Sequence, residues 1–184
     1  MSYKVPTTST TDFGSMKVGT GLSVSAGTVS ASLGLLNYGF FTDTTTQTNP
    51  VASAVNLTTF NATGPANGIS VIGGTAITCA NAGTYTKMFT LNVSKTSGGT
   101  SALSIWLRLN GVDVPGSTQV LDLINTLSTI FVSGNFTLNV PAGGNIQLCW
   151  SSVDTTVSLL AIPAAVTPTR PTGTSAKVTL TRIS

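Results

Sequence analysis

The chain has 184 residues, 41% of them hydrophobic and only 7% charged, with eight Lys and Arg against five Asp for a net charge of +3. It contains neither His nor Glu, which excludes Ser-His-Asp and Cys-His nucleophile pairs, leaves too few ligands for a tetrahedral zinc site, and restricts any paired-carboxylate site to two Asp. The eight cations are scattered rather than gathered into a stripe, so nucleic acid is not an expected partner, and no cofactor or metal is expected. Thr (33) and Ser (21) dominate the polar residues. Thr and Val favour strands, and the expectation is an all-β, non-enzymatic chain. So little charge gives little protection from self-association, so the surface is expected to be buried against copies of the chain or a larger assembly.

Met1 to Thr11 is polar and reads as no secretion signal. Lys17 to Ser30 reads as two short alternating strands punctuated by glycine, with Leu22, Val24 and Val29 as the apolar positions. Residues 1–36 hold too few apolar side chains for a core of their own and are expected to be an extended arm, ordered against something else. The alternative is a plain linker. Val5, Phe13, Leu22 and Val24 are the side chains that would fill pockets on a partner if the arm adds to a neighbouring sheet.

From residue 37 strand signals recur with turns between them. Val51 to Phe60 is a candidate strand, followed by a turn at Gly64-Pro65-Ala66-Asn67-Gly68. Ile69 to Ile72 and Thr75 to Cys79 flank Gly73-Gly74. In Thr84 to Val93, the side chains of Tyr85, Phe89, Leu91 and Val93 share a face on which Lys87 is the exception. Leu103 to Leu109 has the cleanest period of two, with Leu103, Ile105, Leu107 and Leu109 on one side and Ser104, Trp106 and Arg108 on the other. Asn110-Gly111 then signals a tight hairpin. Leu121 to Asn125 reads as one helical turn at most. Strands are expected at Leu127 to Val132, Phe136 to Val140, Ile146 to Trp150, Val157 to Ile162 and Lys177 to Ile183, with a Pro-rich surface loop from Pro163 to Pro171. The Val157 to Val166 stretch is too short to span a bilayer, and no membrane association is expected. Eight to ten short strands at this spacing point to an antiparallel sandwich or jelly roll. Cys79 and Cys149 fall inside apolar strands, where two buried thiols are favoured over a disulfide. Asp43, Asp113 and Asp154 are isolated in sequence and read as ordinary loop carboxylates rather than calcium ligands.

Two resemblances sharpen this reading. Asn81-Ala82-Gly83-Thr84-Tyr85, Leu109-Asn110-Gly111-Val112 and Val140-Pro141-Ala142-Gly143-Gly144-Asn145-Ile146, in that order, with a closing apolar strand, resemble the jelly-roll head of tumour-necrosis-factor-like proteins and of the complement first component. The turn departs from the usual pattern in lacking its Asp. The resemblance covers residues 38–184 and implies a homotrimer. It makes Tyr85, Phe89, Trp106, Phe136 and Trp150 candidates for the seams between protomers. Phe89, Phe136 and Trp150 fit the core equally well, whereas Trp106 lies opposite the apolar side of its strand and favours an intersubunit contact.

Residues Tyr3 to Val24, with Pro6, the Thr7 to Thr11 run, Gly14 and Lys17-Val18-Gly19-Thr20-Gly21-Leu22, are similar to the attachment segment of bacteriophage head-fibre and tail-fibre proteins. Phe13 and Ser15 replace a small apolar residue and a glycine of that pattern. Together the resemblances imply a virion protein on the capsid surface: a trimeric capsid decoration (cement) or head-fibre protein. Its partners would be itself and the major capsid protein or another virion protein. The alternative they leave open is a tail-fibre or spike receptor-binding module that recognises a host surface glycan or protein, with a groove supplied by the 151–174 loops.

Overall fold

The computed structural model describes residues 22–25, 28–31, 36–124 and 128–184. The chain divides into two compact units, Met1–Leu35 and Leu36–Ser184. In the first, β1 (Leu22–Ser25) and β2 (Thr28–Ala31) form an antiparallel hairpin in which Leu22 pairs with Ala31 and Val24 with Val29. Val5 and Phe13 lie outside the described residues.

The second unit is an antiparallel jelly-roll sandwich without helices among the described residues. Its strands begin with β3 (Tyr38–Asp43), β4 (Gln47–Thr48), β5 (Asn56–Leu57), β6 (Ala62–Asn67), β7 (Ile69–Ile72) and β8 (Ala76–Cys79). The long strands follow: β9 (Gly83–Lys95), β10 (Ser101–Leu109), β11 (Val112–Asp113), β12 (Gln119–Leu123), β13 (Ser128–Val140) and β14 (Asn145–Ser152). The chain closes with β15 (Val157–Leu159), β16 (Ala165–Val166), β17 (Thr169–Arg170) and β18 (Ala176–Arg182). One sheet is built on β9, which pairs with β13 along one edge and with β18 and then β15 along the other; β3 and β6 continue beyond β18, and β4 beyond β15. The other is built on β10 and β14, extended by β8 and β7 and flanked by β11, β12 and β5. The expected all-β jelly roll is the fold observed.

Strand parity explains the core. On β9, Tyr85, Phe89, Leu91 and Val93 point inward to meet Leu103, Ile105 and Leu107 of β10 and Ile146, Leu148 and Trp150 of β14. At roughly 1.5–3 kcal/mol for each large apolar side chain removed from water, this shared layer holds the two sheets together. Asn110 (φ 52°) and Gly111 (φ 80°) both take left-handed backbone in the two-residue turn from β10 to β11, as a right-twisted hairpin demands and as the Asn-Gly pair allows.

The structure corrects several local expectations. Val51 to Phe60 contributes only Asn56–Leu57 as strand, because the rest is occupied by turns that hydrogen-bond to β14 through Ser53 and Thr58. The expected turn at Gly64 to Gly68 is mostly the edge strand β6, whose Pro65 is tolerated at a sheet edge. Leu121 to Asn125 forms no described helical turn, since β12 pairs with Ser101 to Ile105. The two strands expected at 127–132 and 136–140 are one. The Pro163 to Pro171 loop contains the small β16–β17 hairpin. Cys79 and Cys149 are free, buried thiols.

Candidate functional site

The outward side chains of β13, β9, β18 and β3 form a continuous face whose rows follow from the register. Thr137, Thr86, Thr181 and Tyr38 make one row; Asn135, Met88, Thr179 and Phe40 the next; Ser133, Thr90, Lys177 and Thr42 a third. Thr84 and Thr86 donate hydroxyl hydrogen bonds to Asn139 and Asn135 across the β9–β13 seam, at 2.9 and 3.1 Å, which fixes those amides. Lys177 is the sole charge in the three rows. Four large apolar side chains are exposed here: Phe131 (74%), Met88 (58%), Tyr38 (40%) and Phe40 (36%). Sequence reasoning overlooked all four. The available signal was an apolar residue in the polar phase of a period-two strand: Met88 between Lys87 and Phe89, and Phe131 between Ile130 and Val132.

Three of the five aromatics assigned to protomer seams are corrected. Tyr85, Phe89 and Trp150 are 0–2% exposed within the chain itself, on the inward phase of β9 and β14, and present no surface to a neighbour. The Tyr85 hydroxyl donates to the carbonyl of Asn81 at 2.7 Å. Phe136 is half-buried and also faces inward, stacked on Phe89 with ring centroids 6.0 Å apart. Trp106 alone sits on the outward side of its strand, half-buried, on the second sheet. Its indole N–H donates to Asp113 Oδ1 at 2.8 Å, and Arg108 Nε donates to the same oxygen at 2.6 Å. The Arg108 guanidinium, assisted by the Trp106 N–H, holds the Asp113 carboxyl below its ordinary range.

Lys87 is the exception anticipated on the core face, and it is fully buried rather than turned to water. Its ammonium nitrogen has no hydrogen-bond partner among the described residues, and burial lowers its pKa from 10.5 to about 7. Burial likewise pushes the Cys79 and Cys149 thiols up to about 11. Asp154 closes the loop before β15: its carboxylate accepts the backbone N–H and hydroxyl of Thr156 (2.9 and 2.7 Å) and the hydroxyl of Ser101 (2.9 Å), with Lys95 Nζ 3.4 Å away. These bonds, the Thr156 N–H foremost, bring its pKa to about 2. Asp43 is buried and bonded to Thr45 and Thr59. Among the described residues no three His, Cys, Asp or Glu side chains gather as a metal cage, and no helix is long and apolar enough to cross a membrane.

Two cavities are relevant to a ligand. The 151–174 segment borders a small one, about 120 Å³, beside Asn92, Ile162, Gly173 and Lys177. A larger one, about 460 Å³, opens between β4 and β5.

No protein-family pattern matches the chain, and no curated protein sequence is detectably similar. Solved structures are. The globular domain of zebrafish complement 1qA superposes with a TM-score of 0.50 at 16% identity, over 81% of this chain and 98% of that one. An Eiger tumour necrosis factor from S. frugiperda gives 0.49 at 7% identity, over 81% and 93%. The chain therefore has the jelly-roll fold of the complement head.

Proposed function

We propose that the chain is a non-enzymatic structural protein of a bacteriophage particle, a homotrimer that decorates and clamps the capsid surface through its N-terminal arm. One observation carries the trimer: the outward face of β13, β9, β18 and β3 exposes four large apolar side chains within three rows and their margin that hold a single charge. Copies of such a face meet with little like-charge repulsion, and the threonine and asparagine groups between the apolar anchors supply hydrogen bonds across the seam. The same jelly-roll fold in the complement head supports this assembly.

The virion assignment rests on the likeness of Tyr3 to Val24 to phage-fibre attachment segments. Three arms on one trimer act together through effective concentration, so modest contacts by Val5, Phe13, Leu22 and Val24 suffice for firm binding. The mechanism is buried area and strand pairing rather than chemistry.

The test is deletion of residues 1–36 followed by binding to purified virions. The trimeric head should remain folded and lose virion binding. Quantifying copies per particle completes it. Tens to hundreds mark a capsid decoration protein, whereas a few would place the chain at a tail tip and overturn the cement reading.

A further inference from the structure

We propose that the cavity between β4 and β5 is a binding site for a neutral saccharide. Its volume, about 460 Å³, lies within the roughly 300–1,000 Å³ of small-molecule sites. Thr46, Gln47, Thr48, Asn56 and Thr59 carry its chemistry, and no charged side chain is part of its wall.

The polar groups are held before any ligand arrives. Gln47 Nε2 donates to the Thr59 carbonyl and to Ser175 Oγ, both at 3.2 Å, while Gln47 Oε1 accepts the Thr59 N–H at 2.8 Å. Thr59 donates its hydroxyl to buried Asp43 at 2.6 Å. Asn56 Nδ2 donates to Asn49 Oδ1 at 2.8 Å, and Asn49 is itself buried and tied to the Ser152 and Asp154 carbonyls. A wall fixed by its own hydrogen bonds loses little freedom when it binds.

What remains unpaired is a mixture of donors and acceptors. Asn56 Oδ1 and the Thr48 hydroxyl take no hydrogen bond from the described residues, and the Thr46 hydroxyl accepts the Ala161 N–H at 3.1 Å, which leaves its proton to donate. Trp150, 1% exposed, lies under the floor, with its indole N–H buried and out of a ligand's reach. This complement suits a molecule whose every hydroxyl both gives and accepts. It does not suit a phosphate or nucleotide: the wall has no Lys or Arg, and the Asp43 carboxyl lies directly behind Thr45 and Thr59. Nor does it suit an apolar ligand, which would strip water from the threonine hydroxyls without replacing their bonds.

The chain has two tryptophans, so Trp106→Phe leaves Trp150 as the reporter. Its emission is followed while glucose, galactose, N-acetylglucosamine and rhamnose are added, with inorganic phosphate as the charged comparison. At least one sugar should give a saturable change with a Kd on the order of 1–10 mM, as befits a few hydrogen bonds. Saturation-transfer NMR on the unaltered full chain should report the same sugar. Thr48→Val, an exposed and nearly isosteric change, should weaken that binding about 3- to 10-fold, the effect of one hydrogen bond. No saturable response to any of the four sugars by either method overturns the proposal. So does phosphate binding as tightly as the sugars, or a titration that Thr48→Val leaves unmoved.

Discussion

Lys87 occupies a position that strand parity reserves for an apolar side chain. Its cross-strand partners are Phe136 on β13 and Leu180 on β18, and the Cys149 thiol, itself kept neutral by burial, is the titratable group that acts on it. Folding therefore favours the uncharged amine. The unfolded chain holds the lysine proton up to about pH 10.5, and the folded chain only up to about 7. Between those values the unfolded state binds more protons, so stability should rise with pH, by up to about 1.4 kcal/mol per unit, and be flat below 7. The thiols act in the opposite sense. Their folded pKa of about 11 against an ordinary 9.0 makes stability fall above pH 9, so the clean window runs from 7 to 9. Urea unfolding midpoints should climb across that window in the natural chain. In Lys87→Met the climb should vanish, and stability near pH 7 should increase by about 1–4 kcal/mol, or roughly 2–4 °C in Tm for each kcal/mol. A destabilised Lys87→Met chain would mean that the amine has a favourable partner in the fold.

At the scale of the element, β13 shows what glycine does inside a long strand. Gly134 faces inward opposite Phe89, and a Cβ there would lie 2.5 and 2.7 Å from two atoms of that ring. The missing side chain leaves the space in which Phe89 and Phe136 stack. Gly134→Ala should push Phe89 off its place and cost about 1–3 kcal/mol by denaturant unfolding, whereas Ser133→Ala, on the outward phase, should stay within about 0.5 kcal/mol. The same glycine explains one limit of the sequence reading. In a linear pattern Gly134 separates two strands, and only the 13-residue register with β9 shows it to be a close approach inside one. Strands with clean alternation, β10 above all, were legible because their period alone fixes the face. β12 was not, because Leu121, Leu123 and Ile124 fit a helical turn as well as a strand, and pairing with β10 decides between them. The site followed the same rule. Tyr85 and Trp150 were recognisable as important aromatics, but inward and outward phases are assigned by the partner sheet. Met88 and Phe131 stand in the outward phase next to inward-facing Phe89, Ile130 and Val132, and their exposure is legible only once that phase is fixed.

For the whole molecule, the decisive quantity is the number of chains that cover the face around Met88. A net charge of +3 spread over 184 residues gives a weak field, so assembly depends on what the contact surfaces bury rather than on long-range repulsion. Exposed Phe131, Met88, Tyr38 and Phe40 on one sheet face are a liability for a monomer and would be an anchor set for the proposed trimer. Light scattering after size exclusion should therefore give three times the 18.7 kDa chain, about 56 kDa. On the proposed trimer face, Met88→Lys and Phe131→Lys add charges of the same sign as nearby Lys177 where copies would meet. Each should shift the mass toward the single chain, because a charge buried without a partner costs several kcal/mol, and together they should leave monomer alone. Both positions are exposed in the single chain, so the head itself should stay folded and its unfolding midpoint in dilute solution should change little. Trp106→Phe, on the opposite sheet, should leave the trimer intact. If the natural chain ran as a monomer, or if Trp106→Phe rather than the Met88 and Phe131 changes dissolved the assembly, the face joining the copies would be the β10–β14 sheet or none. Attachment would then have to do without three arms acting as one.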